Sequence, residues 1–440
     1  MTVMDRDVMI RLKQWKTSSR RKPLLLEGPR QVGKTWLLEE LGRQEYQRIA
    51  YVDFEETPSL KTIFEGDFDA ARIVSQLQIA TGVLISPGDT LIILDEIQEC
   101  PQALTALKYF NERANEYHVA CAGSLLGVAL HEQASFPVGK VNFIPVNPLS
   151  FTEFLCALGE NMLAKSLMGQ DWDLVAPFHE RLITLLREYL FVGGMPEAVV
   201  AFAQNQDFAQ VREIQQEILR AYDRDFSKHA PSEQVPRIRQ VWESIPGQLA
   251  KEQQRFAYGQ LAPGARSRTH RTAIDWLVQA GVIIEVKRIS APRIPLSGYA
   301  DPDAFKLYMA DVGLLGALAG VGASAVLEPD RLFTEFRGSL TEQYVAMQLF
   351  TAFGRAPYYW TNGGGTAEVD FVVQRERDVV PIEVKATRNL KSKSLRVYQD
   401  KYAPDMVVRS SLVPHAQHGN LVDLPVYALL TLPALGREDK

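Results

Sequence analysis

The chain has 440 residues, enough for several domains, and its 46% hydrophobic and 23% charged content is that of an ordinary globular protein. A net charge of −5 argues against a uniformly basic nucleic-acid binder. Its three cysteines, Cys100, Cys121 and Cys156, show no C-x-x-C spacing, which argues against a zinc site or a disulfide framework. No apolar stretch reaches membrane-spanning length and the first residues lack a signal-peptide apolar region, so a cytoplasmic protein without a membrane partner is expected.

Strands are expected near 23–27, 48–53, 90–95, 117–122 and 140–146, with helical patterns between them. This alternation predicts an α/β fold, a parallel sheet with helices on both faces, over residues 1–165. Directly after the first strand comes Gly28-Pro29-Arg30-Gln31-Val32-Gly33-Lys34-Thr35, a complete G-x-x-x-x-G-K-[ST] phosphate loop opening a helix. Backbone N–H groups of such a loop converge on phosphate oxygens. Lys34 is placed for the β- and γ-phosphates of ATP, and the Thr35 hydroxyl for Mg²⁺. The third strand runs into Asp95-Glu96, where Asp95 reads as Mg²⁺-associated and Glu96 as the base that polarises the attacking water. The fourth ends at Gly123-Ser124, and Ser124 is the candidate γ-phosphate sensor.

Ser150-Phe151-Thr152-Glu153 has the form of a helix start. Residues 166–234 look helical, as a lid or spacer, interrupted at Phe191-Val192-Gly193-Gly194-Met195-Pro196. Residues 235–325 have the pattern of a winged helix-turn-helix. A helical pattern from Arg271, ended by Gly281, precedes a strand from Val282, and basic Arg266, Arg268, His270 and Arg271 lie at the helix's start.

In the last section, residues 326–440, two strand patterns flank a charged turn: Val369 to Val373 and Val379 to Lys385. A hairpin symmetric about that turn sets Asp370 opposite Glu383 and Glu368 opposite Lys385, all on one face. Facing carboxylates repel unless a cation or proton lies between them. Asp370 and Glu383 are therefore candidate metal ligands, Lys385 a group to orient or activate water, and Glu342, on a helical stretch from Leu340 to Phe350, a further ligand. The alternative is a salt-bridge ladder, Glu368 to Lys385, with Asp370 satisfied locally, and Pro381 suits an edge strand. Residues 331–440 hold 14 Lys and Arg against 12 Asp and Glu. Lys385, Arg388, Lys391, Lys393, Arg396 and Lys401 form a basic run suited either to a phosphate backbone or to a solvated helix face.

The phosphate loop, Leu94-Asp95-Glu96-Ile97-Gln98, Ala122-Gly123-Ser124, Pro148-Leu149-Ser150-Phe151-Thr152-Glu153-Phe154, Gly193-Gly194-Met195-Pro196-Glu197, Tyr308-Met309-Ala310-Asp311-Val312-Gly313-Leu314, Glu368-Val369-Asp370-Phe371 and Ile382-Glu383-Val384-Lys385 follow one another in order. As a series they resemble the prokaryotic ATPases with an AAA-type N-terminal domain (AAA_14) and a C-terminal domain of the DUF4143 type. The resemblance implies an AAA-like ATPase core, a winged helix and a C-terminal fold similar to restriction-endonuclease-like nucleases. Where that family commonly has Gly-Arg, a candidate for contacting nucleotide in trans, this chain has Gly139-Lys140, which keeps the charge and loses the planar fork. The reading is an ATP-hydrolysing enzyme with a nucleic-acid-linked role and a nuclease-like C-terminal site. Its rival is a nucleotide-dependent regulatory or scaffold protein with an inactive C-terminal module. Assembly into a homo-oligomer is left open.

Overall fold

The computed structural model describes residues 5–123, 137, 139–251, 255–322, 337–363, 365–386 and 392–436. Ser124, Arg388 and Lys391 lie outside the described residues. The chain divides into two compact units, 5–147 with 279–281, and 148–278 with 282–440.

The first unit holds five parallel strands, β1 (Leu24–Glu27), β2 (Arg48–Asp53), β3 (Thr90–Asp95), β4 (His118–Ala122) and β5 (Asn142–Pro145), in the order β2-β3-β4-β1-β5. All residues of β3 and β4 are buried, as expected of central strands covered on both faces. Helices Ala70–Thr81 and Pro101–Arg113 turn Ile73, Leu77, Leu104, Leu107 and Phe110 into one apolar core with Val52, Ile92 and Leu94. Because every strand runs the same way, their carboxyl ends lie along one edge of the sheet, where ligands of open α/β sheets bind.

The second unit begins with helices. Ser150 caps Phe151–Ala157 in a reciprocal capping box with Glu153, as the sequence pattern implies. The helices His179–Val192, Pro196–Asn205 and Phe208–His229 follow. Three of the sequence motifs meet here. Asp311 accepts the Gly194 N–H at 2.6 Å and the Leu314 N–H at 2.9 Å. Leu149 N–H in turn donates to Gly194 O at 2.6 Å. A Cβ on Gly194 would stand 2.1 Å from Leu149 O, so only glycine fits. These motifs therefore serve packing.

The helix expected from Arg271 and ended by Gly281 runs from Ser267 to Gln279. It stops short of Gly281, which is left-handed at φ 71°. The strands that follow, β6 (Ile283–Ile289) and β7 (Ala300–Met309), do not belong to a self-contained wing. They join β8 (Tyr358–Thr361), β9 (Glu368–Arg375), β10 (Asp378–Val384), β11 (Val407–Ser411), β12 (Ala416–His418) and β13 (Leu421–Pro425) in one sheet, ordered β12-β13-β11-β10-β9-β8-β6-β7. The expected division at 325/326 thus falls between strands of a single sheet. Sequence periodicity marks strands but not which distant strand each one pairs with.

The β9–β10 hairpin has the expected register, from Asp378 opposite Arg375 to Ile382 opposite Phe371. Pro381 does not mark an edge, because β10 lies between β9 and β11. The parallel ladder to β11 starts only at Ile382, one residue beyond the proline.

Candidate nucleotide site and C-terminal carboxylate cluster

The phosphate loop joins β1 to the helix Lys34–Glu45. Gln31 and Gly33 have φ of 64° and 85°, the left-handed values that curl a loop around an anion. A Cβ on Gly28 would stand 2.1 Å from Val146 O, so the loop's first glycine is required by close approach. Lys34 folds over its own loop, with Nζ 2.7 Å from Pro29 O and 3.0 Å from Gly28 O. Arg6, buried, donates to Val32 O at 3.1 Å and Asn147 O at 2.7 Å, tying the loop down from a residue that no motif marks.

Thr35 Oγ1 donates to Asp95 Oδ2 at 2.6 Å, and the Tyr51 hydroxyl donates to the same oxygen at 3.0 Å. Burial, and then the Asp95 charge, push the Tyr51 hydroxyl far up, so it remains a donor. A hydroxyl and a carboxylate side by side at the mouth of the loop are the oxygen donors a Mg²⁺–nucleotide requires. Glu96 follows in left-handed backbone at φ 47°, its N–H on Asp95 Oδ1 at 2.9 Å and its carboxylate accepting from Gln98 Nε2. Sequence reading gives Gln98 and Tyr51 no role at this site. Lys140, at the position considered for contact in trans, pairs with Glu112 at 2.8 Å.

In the second unit the structure brings Glu342, Asp370, Glu383 and Lys385 together and adds two residues from β7. Asp370 Oδ2 accepts the Val384 N–H at 2.7 Å. The hairpin register, continued one pair past Ile382–Phe371, sets Glu383 opposite Asp370. Lys385 Nζ lies 2.7 Å from Glu383 Oε1. Lys306 is 1% exposed, with Nζ 2.6 Å from Glu368 and 3.7 Å from Glu342, and the Tyr308 hydroxyl donates to Glu342 at 3.2 Å. Burial raises the Asp370 carboxyl well above the usual range, with the charges of Glu342 and Glu383 adding to it and Lys306 opposing. The Glu368–Lys385 ladder is not formed: Lys306 takes Glu368 instead. Lys306 has no signal in sequence and Tyr308 only its place at the head of the Tyr308–Leu314 segment, since both reach the cluster only through the shared sheet.

Among the described residues no group of three or more His, Cys, Asp and Glu is arranged to hold a metal ion. The donor set nevertheless suits a hard cation in one respect: among the described residues, Glu383 Oε2 is buried without a hydrogen-bond partner.

Of the basic residues at the start of that helix, Arg271 is committed to Asp275 at 2.6 Å and to Glu285, and His270, buried, sits between Thr269 at 2.8 Å and Gln240 at 3.0 Å. Arg266 and Arg268 remain exposed, as do Lys393, Arg396 and Lys401. No described helix is long and apolar enough to cross a membrane.

Residues 20–155 match the family model described as an AAA domain. The first unit is accordingly a P-loop ATPase-like α/β domain of AAA type. Residues 183–325 match a domain of unknown function, DUF8612, and residues 337–428 another, DUF4143. No curated relative matches the chain. Among solved structures, it is similar to the Walker-type ATPase of Pyrococcus abyssi at 13% identity, covering 72% of this chain and 96% of that one, with a TM-score of 0.46. The ORC1 protein of Aeropyrum pernix in complex with DNA matches at 16% identity over 73% and 93%, TM-score 0.26. Cdc6p of Pyrobaculum aerophilum matches at 14% over 63% and 84%, TM-score 0.24. Likeness at this level defines neither activity nor partner.

Proposed function

We propose that the protein binds and hydrolyses ATP with Mg²⁺, in a nucleic-acid-linked role. The observation that carries the ATPase reading is the Thr35–Asp95 hydrogen bond at the mouth of a complete phosphate loop. It joins the two groups that would share Mg²⁺ once nucleotide is bound. The ion would supply charge neutralisation across the phosphates. Lys34 Nζ rests on two neutral carbonyl oxygens, acceptors it can exchange for a stronger, anionic one when phosphate enters. Glu96, on the strand exit beside Asp95, accepts a proton from the water it orients. ATP turnover by the wild type that falls steeply in Lys34→Ala and in Glu96→Gln supports this reading; a wild type without turnover overturns it.

For the second unit, the proposal is a Mg²⁺- or Mn²⁺-dependent phosphodiesterase site. Asp370, Glu383 and Glu342 would hold the ion, and Lys385 would orient water beside it. The unpartnered Glu383 oxygen supports this. A second reading, an inactive interaction module, draws support from the two ammonium groups already paired within the cluster. Strand cleavage that requires added metal and is lost in Asp370→Asn favours the first. Wild-type protein that cuts neither DNA nor RNA in either metal favours the second.

A further inference from the structure

Glutamine is ordinarily a surface residue, yet Gln98 is only 2% exposed. It sits two residues beyond Glu96, in the short turn Ile97–Glu99. Its amide N–H donates to Glu96 Oε2. The other end of the same amide lies against Gly123, where a Cβ would stand 2.5 Å from Gln98 Oε1. Gly123 is not among the glycines of positive φ, so its backbone alone does not demand glycine. What a methyl there would meet is the movable tip of the Gln98 side chain. One buried amide therefore touches both the carboxylate after β3 and the turn after β4.

Glu96 is held at its other end too. Its φ of 47° is left-handed, a conformation that non-glycine residues keep only where their surroundings enforce it. Its N–H is fixed on Asp95 Oδ1. With backbone and carboxylate both restrained, the direction of the carboxylate is set before any substrate arrives.

We infer that Gln98 is a positioning residue for ATP hydrolysis, holding the Glu96 carboxylate in its working direction, with its amide oxygen lodged in the space that the glycine at 123 leaves open. This rests on the hydrolase reading above. The nucleotide phosphates are bound by the loop and Lys34, so loss of the amide should leave binding intact and slow the chemical step. Gln98→Ala removes the tether. Gly123→Ala displaces it, because the new methyl would stand 2.5 Å from Oε1. The two changes act on one contact, so they should not add.

The test measures kcat for ATP and the dissociation constant of a non-hydrolysable ATP analogue in wild type, Lys34→Ala, Gln98→Ala, Gly123→Ala and the Gln98→Ala/Gly123→Ala double variant. The expected result is a kcat lower by about 10- to 100-fold in each Gln98 or Gly123 single variant, the scale of a misplaced catalytic group. Analogue binding should stay within about twofold of wild type, and the double variant should be no slower than Gln98→Ala alone. Wild-type kcat in Gln98→Ala overturns the inference. So do losses that multiply in the double variant, which make Gly123 independent of Gln98, and loss of analogue binding together with rate, which marks a structural role. A wild type with no Lys34-dependent turnover is a different failure. It removes the hydrolase reading first, and the inference with it.

Discussion

At the scale of single residues, the proposed nucleotide site would separate holding from cutting. Lys34→Ala should weaken ATP by about 1.5–3 kcal/mol, the value of a hydrogen bond to a charged group, in an equilibrium titration. Glu96→Gln should bind ATP as wild type does and turn it over about 10²- to 10⁴-fold more slowly in a steady-state assay, since the amide cannot take a proton. The loop, Asp95 and Glu96 were legible because their spacing is local: a loop of eight residues and a strand end. Gln98 and Arg6 were not legible in the same way. Each acts through a neighbour that only the fold supplies. Lys306 is the extreme case. It is one lysine in a strand pattern until β7 is hydrogen-bonded into the sheet that holds Glu368.

A buried acid gives a residue-scale prediction with a sign. Burial raises the Asp311 carboxyl from 3.8 to about 6, against the pull of the N–H groups of Gly194, Leu314 and Gly313. The folded protein then binds the proton more tightly than the unfolded chain. This group's contribution to stability is therefore greatest below pH 4 and falls as pH rises to about 6, by about 3 kcal/mol in all. Asp311→Asn does not titrate. The difference in Tm between variant and wild type, followed from pH 4 to pH 7, should move in favour of the variant, and a difference that stays flat would refute the assignment.

At the scale of elements, the turn between His179–Val192 and Pro196–Asn205 is fixed by close approach of backbones. Gly194→Ala forces a methyl against Leu149 O and should cost about 1–3 kcal/mol or more, read as a lowered urea midpoint. The hairpin shows how far pattern reading reaches. Its register follows from a short charged turn and alternating faces, so the opposition of Asp370 and Glu383 was accessible from sequence. The pairing of Glu368 was not, because its partner is on β7. The basic run has a separate test. If Lys393 and Arg396 meet a nucleic-acid backbone, changing both to Ala should reduce the slope of log K against log salt by roughly 2, about 1 for each phosphate left without its cation. An unchanged slope would assign them to a solvated face.

At the scale of the whole chain, the two candidate sites lie in different compact units. Asp370→Asn should therefore leave ATP turnover at the wild-type rate while any metal-dependent cleavage disappears, and a parallel fall in both would show the two to be one machine. The alternation of strands and helices made the first unit legible in outline, and its five strands fall within a residue or two of the expected spans. The second unit was legible only in pieces. Its sheet draws strands from both sides of the boundary set at 325, and no local pattern records such long-range pairing.

That shared sheet bears on how the protein can be taken apart. The DUF4143 match begins at residue 337, so a fragment cut there keeps β8 and loses β6, which pairs with β8 through Lys287–Tyr358, Arg288–Tyr359 and Ile289–Trp360. The excised piece carries a raw strand edge at β8, open to pairing with any other chain. Expressed alone, residues 337–440 should elute from a sizing column as aggregates or strand-exchanged dimers, whereas residues 148–440, which retain β6 and β7, should not. The smallest portable piece of the C-terminal site is therefore larger than its family boundary, because its sheet is closed by strands that a boundary drawn on sequence similarity leaves behind.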